Sequence, residues 1–442
     1  MLAAGCLSSY TPPGGGGGDQ SGGGATGGGG GGSSGGGTQP ADPAPPGVPT
    51  FYGDVLPIVQ QNCLGCHGEG LTTPRLDDYQ QAKANAGTIL AAIMNRTMPP
   101  FPPEAGCTSY VGERRLSAAD QQTLEMWTMS GTYAGDPAQA PSYTPSPSTS
   151  LGTPDKHLVG GPFMPTYPGS AGANDLYWCY VLDPGLTAAS DLTALQVVPG
   201  TVNEVHHVLI FRDAGGTGSA GKPASGYECN GAPGEMLAGW VPGAAPLRLP
   251  AGVGMTIDPS DRLLMQVHYH QDVNVAPSAD STSVDLYFSQ ATMAEHAYVV
   301  WAGTPLFTIP ANATGYAVSS TCTVNASWKV LGIAPHMHQH ATKFTSDLTM
   351  GGANQCLMNI PRWDFGWQGG YFLQTPVTLA VGDKISTTCT YDNPSASQIK
   401  FGEATSDEMC FGFVYVVAAQ RPSFTGLVNL VGGQSAASIC AQ

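Results

Sequence analysis

The sequence predicts a multidomain chain, with one small all-α domain followed by two all-β sandwich domains. Three observations carry this. Helical periodicity is confined to about 51–130. From about 160 onward the chain breaks into short runs rich in β-branched and aromatic residues, bounded by Gly, Pro, Asp and Asn. Two stretches with little to bury separate these regions. The 442 residues suffice for roughly three domains at about 100–200 residues each.

The first of those stretches, within 1–49, is Gly, Ser and Pro, closed by ADPAPPGVP, and reads as a tether. Before it, LAAGC at Leu2–Cys6 resembles the cleavage end of a bacterial lipoprotein signal, without the charged and apolar regions that normally precede one. Lipidation of Cys6 and an ordinary cysteine near a frayed end are both consistent with it. Helical patterns follow around 51–62, 77–95 and 117–130, the last with Ser117 as N-cap and Asp120 in the first turn. The expected helical domain is 50–133, and a Pro/Ser/Thr-rich linker covers 134–159. Runs such as EVHHVLIF, RLLMQVHYH and FGFVYVVAA then place two sandwiches at 160–300 and 301–442.

The net charge of −16 argues against nucleic acid or anionic membrane as a partner, since both would be repelled. No run of about eighteen apolar residues occurs, so no transmembrane helix is expected. Eleven cysteines suit an exported, disulfide-bonded protein, periplasmic or at the outer surface.

Cys63-Leu64-Gly65-Cys66-His67 is a C-x-x-C-H sequence. Two thiols at this spacing add to the vinyl groups of one haem, and the adjacent His becomes an axial ligand. Met98, held before Pro99-Pro100, is the expected sixth ligand. A thioredoxin-like pair or half a zinc site would leave His67 and Met98 unexplained, and a second CxxC is absent from the sequence. Met94, Met126 and Met129 sit at helical spacing and read as core. The segment resembles class I cytochrome c domains, which implies one haem c.

Seven of the ten histidines fall in three groups: His206-His207, His268 with His270, and His336 with His338 and His340. An HxH pair on a strand points to one face and forms a natural chelate. Adjacent histidines point to opposite faces, so His206 and His207 can share a metal only at a strand end or a bulge. Scattered histidines are ordinary in β proteins, but three tight clusters point to metal. A thioether would favour Cu(I) over zinc, and Met409 in EATSDEMC supplies one.

HH, then QVHY, then HxH, then TSDEMC is the ordered motif set that resembles the type II copper, ascorbate-dependent monooxygenases, over about 160–442. LRLPAGVGM and DLYWC resemble that family's connecting segments. The resemblance implies two jelly-roll-like sandwiches and two coppers. It assigns His206, His207 and His268 to an electron-storing copper, and His336, His338 and Met409 to an O₂-binding, catalytic copper. His270 and His340 lie beyond the pattern, as outer groups or alternative ligands. It also implies disulfides Cys389–Cys410 and Cys322–Cys440. Cys179 and Cys229 match family half-cystines whose usual partners are missing here, which leaves a pairing with each other open, and Cys107 and Cys356 stay unassigned.

The implied chemistry is hydroxylation of a C–H bond of a small organic molecule by O₂, with the two domains facing each other across water. Electrons would come from the fused haem, itself fed by a periplasmic donor, or from an ascorbate-like reductant. The peptide-hydroxylating branch holds a substrate carboxylate with an Arg, an Asn and a Tyr. Those positions are Ala334, Phe411 and Phe413 here, so a peptidylglycine substrate is not expected. The two phenylalanines suggest an apolar or aromatic substrate, or simply core. The run Trp363, Phe365, Trp367, Tyr371 and Phe372 is either pocket lining or core, with core the safer reading. The alternatives to an enzyme are a haem/copper electron-transfer protein and a surface binding module that keeps its metal sites as structure.

Overall fold

The computed structural model describes residues 42–68, 74–142, 151–167, 175–201, 204–229, 231, 233–241, 244–270 and 278–420. Cys6 and Cys440 lie outside these. The chain forms two compact units. Among the described residues, one contains 42–99 and 115–142, and the other contains Pro100–Arg114 and 151–420.

The first unit is helical. A π-turn at Phe51–Val55, capped by the Thr50 side chain, runs into the helix Leu56–Asn62. Ser117 and Asp120 form a reciprocal capping box that starts the helix Ala118–Met129. The single pattern expected over 77–95 is two helices, Tyr79–Ala84 and Ala86–Met94. Asn85 breaks it by leaving helical geometry and donating its side-chain amide to Gln81 O at 2.8 Å. Phe51, Val59, Tyr79, Leu124 and Trp127 form the core of this unit. Met94, Met126 and Met129 do not belong to it. They are 56%, 37% and 76% exposed, which corrects their reading as core, because helical spacing identifies a shared face but not which face is buried.

The second unit is built from sheets. A five-stranded antiparallel sheet runs in the order Tyr227–Glu228, Asp175–Leu182, Arg262–His270, Val205–Asp213, Glu235–Trp240. A nine-stranded sheet runs Lys156–Val159, Ser283–Phe288, Ser190–Val198, Val253–Ile257, Glu295–Gly303, Phe411–Ala418, Trp328–His336, Tyr371–Leu379, with Leu247–Arg248 pairing beside Ser190–Val198. A four-stranded sheet, Ala313–Thr323, Lys384–Asn393, Ala341–Met350, Ala353–Ile360, covers part of it.

The two halves of the long sheet join where Val253–Ile257 pairs in parallel with Glu295–Gly303. The expected division at 300/301 therefore falls inside a strand. Around that joint the long sheet is buried on both faces. Val299, Trp301, Phe411, Phe413 and Tyr415 enter one core with the five-stranded sheet. Val300, Ala302, Val414 and Val416 enter the other, against the four-stranded sheet. This is why FGFVYVVA reads as a continuous apolar run rather than an alternating one.

Pro100–Arg114 lies inside the expected helical segment 50–133 but packs with the sheets. Tyr110 is fully buried and donates its hydroxyl to Leu357 O at 2.6 Å. Val111 N donates to Phe372 O and Gln374 N to Ser109 O. A Cys107–Cys356 disulfide fixes the segment. The strap thus covers the terminal strand Tyr371–Leu379 of the long sheet, whose free edge would otherwise offer unpaired backbone groups. At the other end of that sheet, the final residues of the expected linker form the strand Lys156–Val159, paired to Ser283–Phe288.

Candidate metal centres

His207 pairs with His268 across neighbouring strands, while the preceding pair is Val205 with Tyr269. His206 is therefore the extra residue of a β-bulge. The bulge turns its ring to the side His207 already faces, which a regular strand would forbid. The Nδ1 atom of His207 lies 3.3 Å from that of His206 and 3.2 Å from that of His268. Ligand atoms of the three fall within 4.8 Å of one another. His268 donates its Nε2–H to Asp175 Oδ1 at 2.9 Å, which leaves its Nδ1 lone pair facing the other two rings. His270 donates to the same oxygen at 2.7 Å, so it meets the cluster through Asp175. Tyr177 stacks flat on His268, with ring centroids 4.2 Å apart.

His336 ends its strand opposite Phe411. His338 and Met409 lie two residues beyond that pair, and the Glu408 carboxylate accepts the backbone N–H of both. Here the ring nitrogens are used the other way round. His336 Nδ1 is 2.7 Å from Gln368 Oε1, and His338 Nδ1 donates to Asp407 O at 3.0 Å. Both Nε2 atoms are left for a ligand. Glu408 is fully buried, and its carboxylate accepts the backbone N–H groups of His338 at 2.9 Å, His340 at 2.6 Å and Met409 at 3.3 Å. Burial pushes its acid up to about 7 against those hydrogen bonds. His340 thus joins through its main chain. Tyr391 donates its hydroxyl to Met409 O at 2.6 Å, and Cys410 is bonded to Cys389, so the methionine is held from both sides.

The two sets are adjacent. His207 and His336 have ring centroids 6.1 Å apart. The expected water-filled gap is absent at this point, because the halves share one sheet and a common core that includes Trp301, Phe411 and Phe413. Phe411 and Phe413 are 1% and 6% exposed, which supports core over an open substrate pocket. Phe413 also stacks on His336 at 5.9 Å. Of the aromatic run, Trp363 is buried, while Phe365 is half-buried against His206.

Burial lowers the basicity of every histidine in the two sets. His206 and His338 fall to about 3 and His336 to about 4, with neighbouring imidazoles adding to the effect in each, while His207 and His268 are also depressed. Neutral imidazoles are the form that binds metal. Asp175 is held well below the usual carboxylate range: burial opposes this, but hydrogen bonds from His268 and His270 outweigh it. Three converging Nδ1 atoms fit a transition-metal ion. Two free Nε2 atoms, with the Met409 backbone tied to that of His338 through Glu408, make a set that a soft thioether would suit to copper. Asp175, Gln368, Glu408 and Tyr177 are not marked by the sequence as site residues, although Asp175, Tyr177 and Glu408 lie inside segments that resemble the family.

In the helical unit, Cys63 caps the short helix Leu64–His67. His67 donates its Nδ1–H to Pro74 O at 3.0 Å, leaving Nε2 available to an axial position. Cys63 is a free thiol, pushed up to about 12 by burial. Cys66 is disulfide-bonded, so reduction must precede any thioether there. Met98 is half-buried, with its N–H donating to Ala92 O. An axial imidazole and one free attachment thiol fit a haem, and Cys66 completes the pair once reduced.

Of the expected disulfides, Cys389–Cys410 forms, and Cys179 and Cys229, whose pairing the sequence left open, are bonded to each other. Cys322 is also disulfide-bonded, and its expected partner lies outside the described residues. The unassigned Cys107 and Cys356 pair with each other.

Residues 295–423 match the family described as copper type II ascorbate-dependent monooxygenase, C-terminal domain. The chain is 27% identical over 268 residues to dopamine beta-hydroxylase of Rattus norvegicus, covering 54% of this chain and 43% of that protein. It is 24% identical over 251 residues to tyramine beta-hydroxylase of Caenorhabditis briggsae, covering 51% and 42%. With DBH-like monooxygenase protein 1 of Gallus gallus it shares 23% over 272 residues, covering 54% and 44%. The chain spans less than half the length of these curated relatives. They relate it to copper-dependent monooxygenases, oxidoreductases that incorporate one oxygen atom. Among solved structures, peptide N-glycanase F aligns with a TM-score of 0.27 at 10% identity, over 60% of this chain and 96% of that one, a likeness that carries no argument.

Proposed function

We propose that this protein is a copper monooxygenase that hydroxylates a C–H bond of an organic substrate with O₂. The observation that carries the reading is the pairing of two chemically different donor sets, 6.1 Å apart between the rings of His207 and His336, in a chain related to copper monooxygenases. Copper, when bound, would supply one-electron redox chemistry at one set and O₂ activation at the other.

The chain's own residues divide the work. His206, His207 and His268 would hold the electron-storing copper through Nδ1, with Asp175 fixing the tautomer of His268. His336 and His338 would hold the catalytic copper through Nε2, with Met409 as a weak third donor. Gln368 and the Asp407 carbonyl orient the two rings. The contact between the sets favours direct electron passage from one to the other. The relatives named for dopamine and tyramine, both alkyl amines that carry a phenol ring, support an aromatic substrate.

The helical unit is read as a cytochrome c domain, with Cys63, Cys66, His67 and Met98 for one haem. It would deliver electrons from an external donor, in place of or beside an ascorbate-like reductant. Disulfides in the sheet unit support an oxidising, extracytoplasmic setting.

The test is oxygen consumption by the copper-loaded chain with reductant, combined with metal analysis. The reading expects two coppers and one iron per chain, and uptake reduced by at least about tenfold in Met409→Leu, the scale of losing a metal-site interaction. Uptake indifferent to Met409→Leu would favour a protein that only relays electrons. Stopped-flow reduction of Cu(II) by the reduced haem tests the electron supply, and absence of intramolecular transfer would remove the haem from it.

A further inference from the structure

We propose that Phe365 is a positioning residue that joins the two histidine sets, holding the His206 ring in place from the opposite sandwich. The inference rests on the reading that both sets hold copper, and it adds what sets the geometry between them.

His206 needs such support. As the bulged residue of its strand it has no cross-strand partner, and its ring is half-buried. Among the described residues, its ring neighbours are His207, His268, His270 and Phe365. Three of these are imidazoles that meet it edge-on or tilted. Phe365 lies against its face, with centroids 4.8 Å apart and planes 25° from parallel. It is therefore the apolar wall that stops the ring from turning its Nδ1 away from His207.

Phe365 is itself fixed by its loop, between the strands Ala353–Ile360 and Tyr371–Leu379. Gln368 Nε2 donates to Phe365 O at 3.1 Å, while its Oε1 meets His336 Nδ1. Trp363 Nε1 donates to His338 O at 3.2 Å. The Phe365 ring also lies edge-on to His338, at 6.0 Å. One short loop thus touches His336, His338 and His206. Ordinary packing does not explain Phe365, because it belongs to none of the hydrophobic cores.

The experiment uses the full copper-loaded chain with Phe365→Leu, which removes the ring face, and Phe365→Tyr, which keeps it. Chelator competition and Cu(II) EPR are read for both. The expected result for Phe365→Leu is one copper bound about tenfold more weakly, as for loss of an outer-shell partner, with an altered EPR signal for that site only. The other copper should be unchanged, and Phe365→Tyr should behave as the parent. Two coppers bound with unchanged affinity and EPR in Phe365→Leu would overturn this proposal alone. A parent chain that takes up no copper, or that keeps two coppers after His206→Ala, would overturn the two-copper reading and the proposal with it. Phe365→Met offers a second ring-free variant should the leucine misfold.

Discussion

At the residue scale, the site is governed by which nitrogen of each imidazole is already engaged. Asp175 takes the Nε2–H of His268, whereas Gln368 Oε1 and the Asp407 carbonyl meet the Nδ1 atoms of His336 and His338. Asp175→Asn should therefore disturb the His206/His207/His268 set while leaving the other intact. The expectation is about 10–100-fold weaker binding of one copper, read by chelator competition, and equal weakening of both coppers would contradict it. Glu408 acts differently, as a buried acceptor for the main-chain N–H groups of His338, His340 and Met409. Glu408→Ala would orphan those N–H groups at about 1–3 kcal/mol for each left unsatisfied, visible as a fall in thermal midpoint even without metal. The ligand histidines could be named from the sequence because clustering and motif order are local properties. Asp175 and Gln368 could not, and Phe365 was marked only as pocket lining or core, because each acts on a histidine distant in the chain and brought near only by the fold.

At the element scale, the strand Phe411–Ala418 and the turn before it carry most of the C-terminal site. Cys410 immediately precedes that strand, and its bridge to Cys389 closes a loop with a sequence separation of 21. Removing both cysteines as serines should cost about 3 kcal/mol for a loop of this length. It should also loosen Met409, so copper at that set should bind more weakly than the stability loss alone explains; unchanged binding would show that the bridge does not position the methionine. The neighbouring Gly303 has no room for a side chain, since a Cβ there would sit 2.1 Å from Cys410 O. The apolar runs EVHHVLIF, RLLMQVHYH and FGFVYVVAA identified three central strands, and Ser117 with Asp120 identified the helix Ala118–Met129. The bulge at His206 was legible only as a condition that two adjacent histidines would have to meet. The break at Asn85 was missed because one side-chain hydrogen bond outweighed an otherwise unbroken helical pattern. The strap Pro100–Arg114 was hidden for a different reason: nothing in a proline-rich stretch names the edge strand it will cover.

For the whole molecule, the five histidines of the two sets make stability depend on pH in a definite direction. Their folded basicities lie below the usual value near 6.5, so below that pH the unfolded chain binds more protons than the folded one. The copper-free protein should lose the histidine contribution as pH falls from about 6.5 toward about 4, while Glu408, raised to about 7 by burial, works the opposite way over the same range. Denaturant unfolding across that range checks this, and a flat profile would contradict it. The division into a helical unit and a sheet unit was legible from periodicity and linkers. The joining of the two sandwiches through one sheet was not, because strand order across a sheet is a long-range property that no local pattern encodes.

That shared sheet has a practical consequence for anyone dissecting the chain. The segment similar to the monooxygenase C-terminal domain begins at residue 295, on the very strand that serves both interiors. A piece cut there would keep Val300, Ala302, Val414 and Val416 inside, but would turn Val299, Trp301, Phe411, Phe413 and Tyr415 into a raw apolar wall. Such a fragment should self-associate or precipitate, whereas a chain retaining both sandwiches should melt as a single cooperative body.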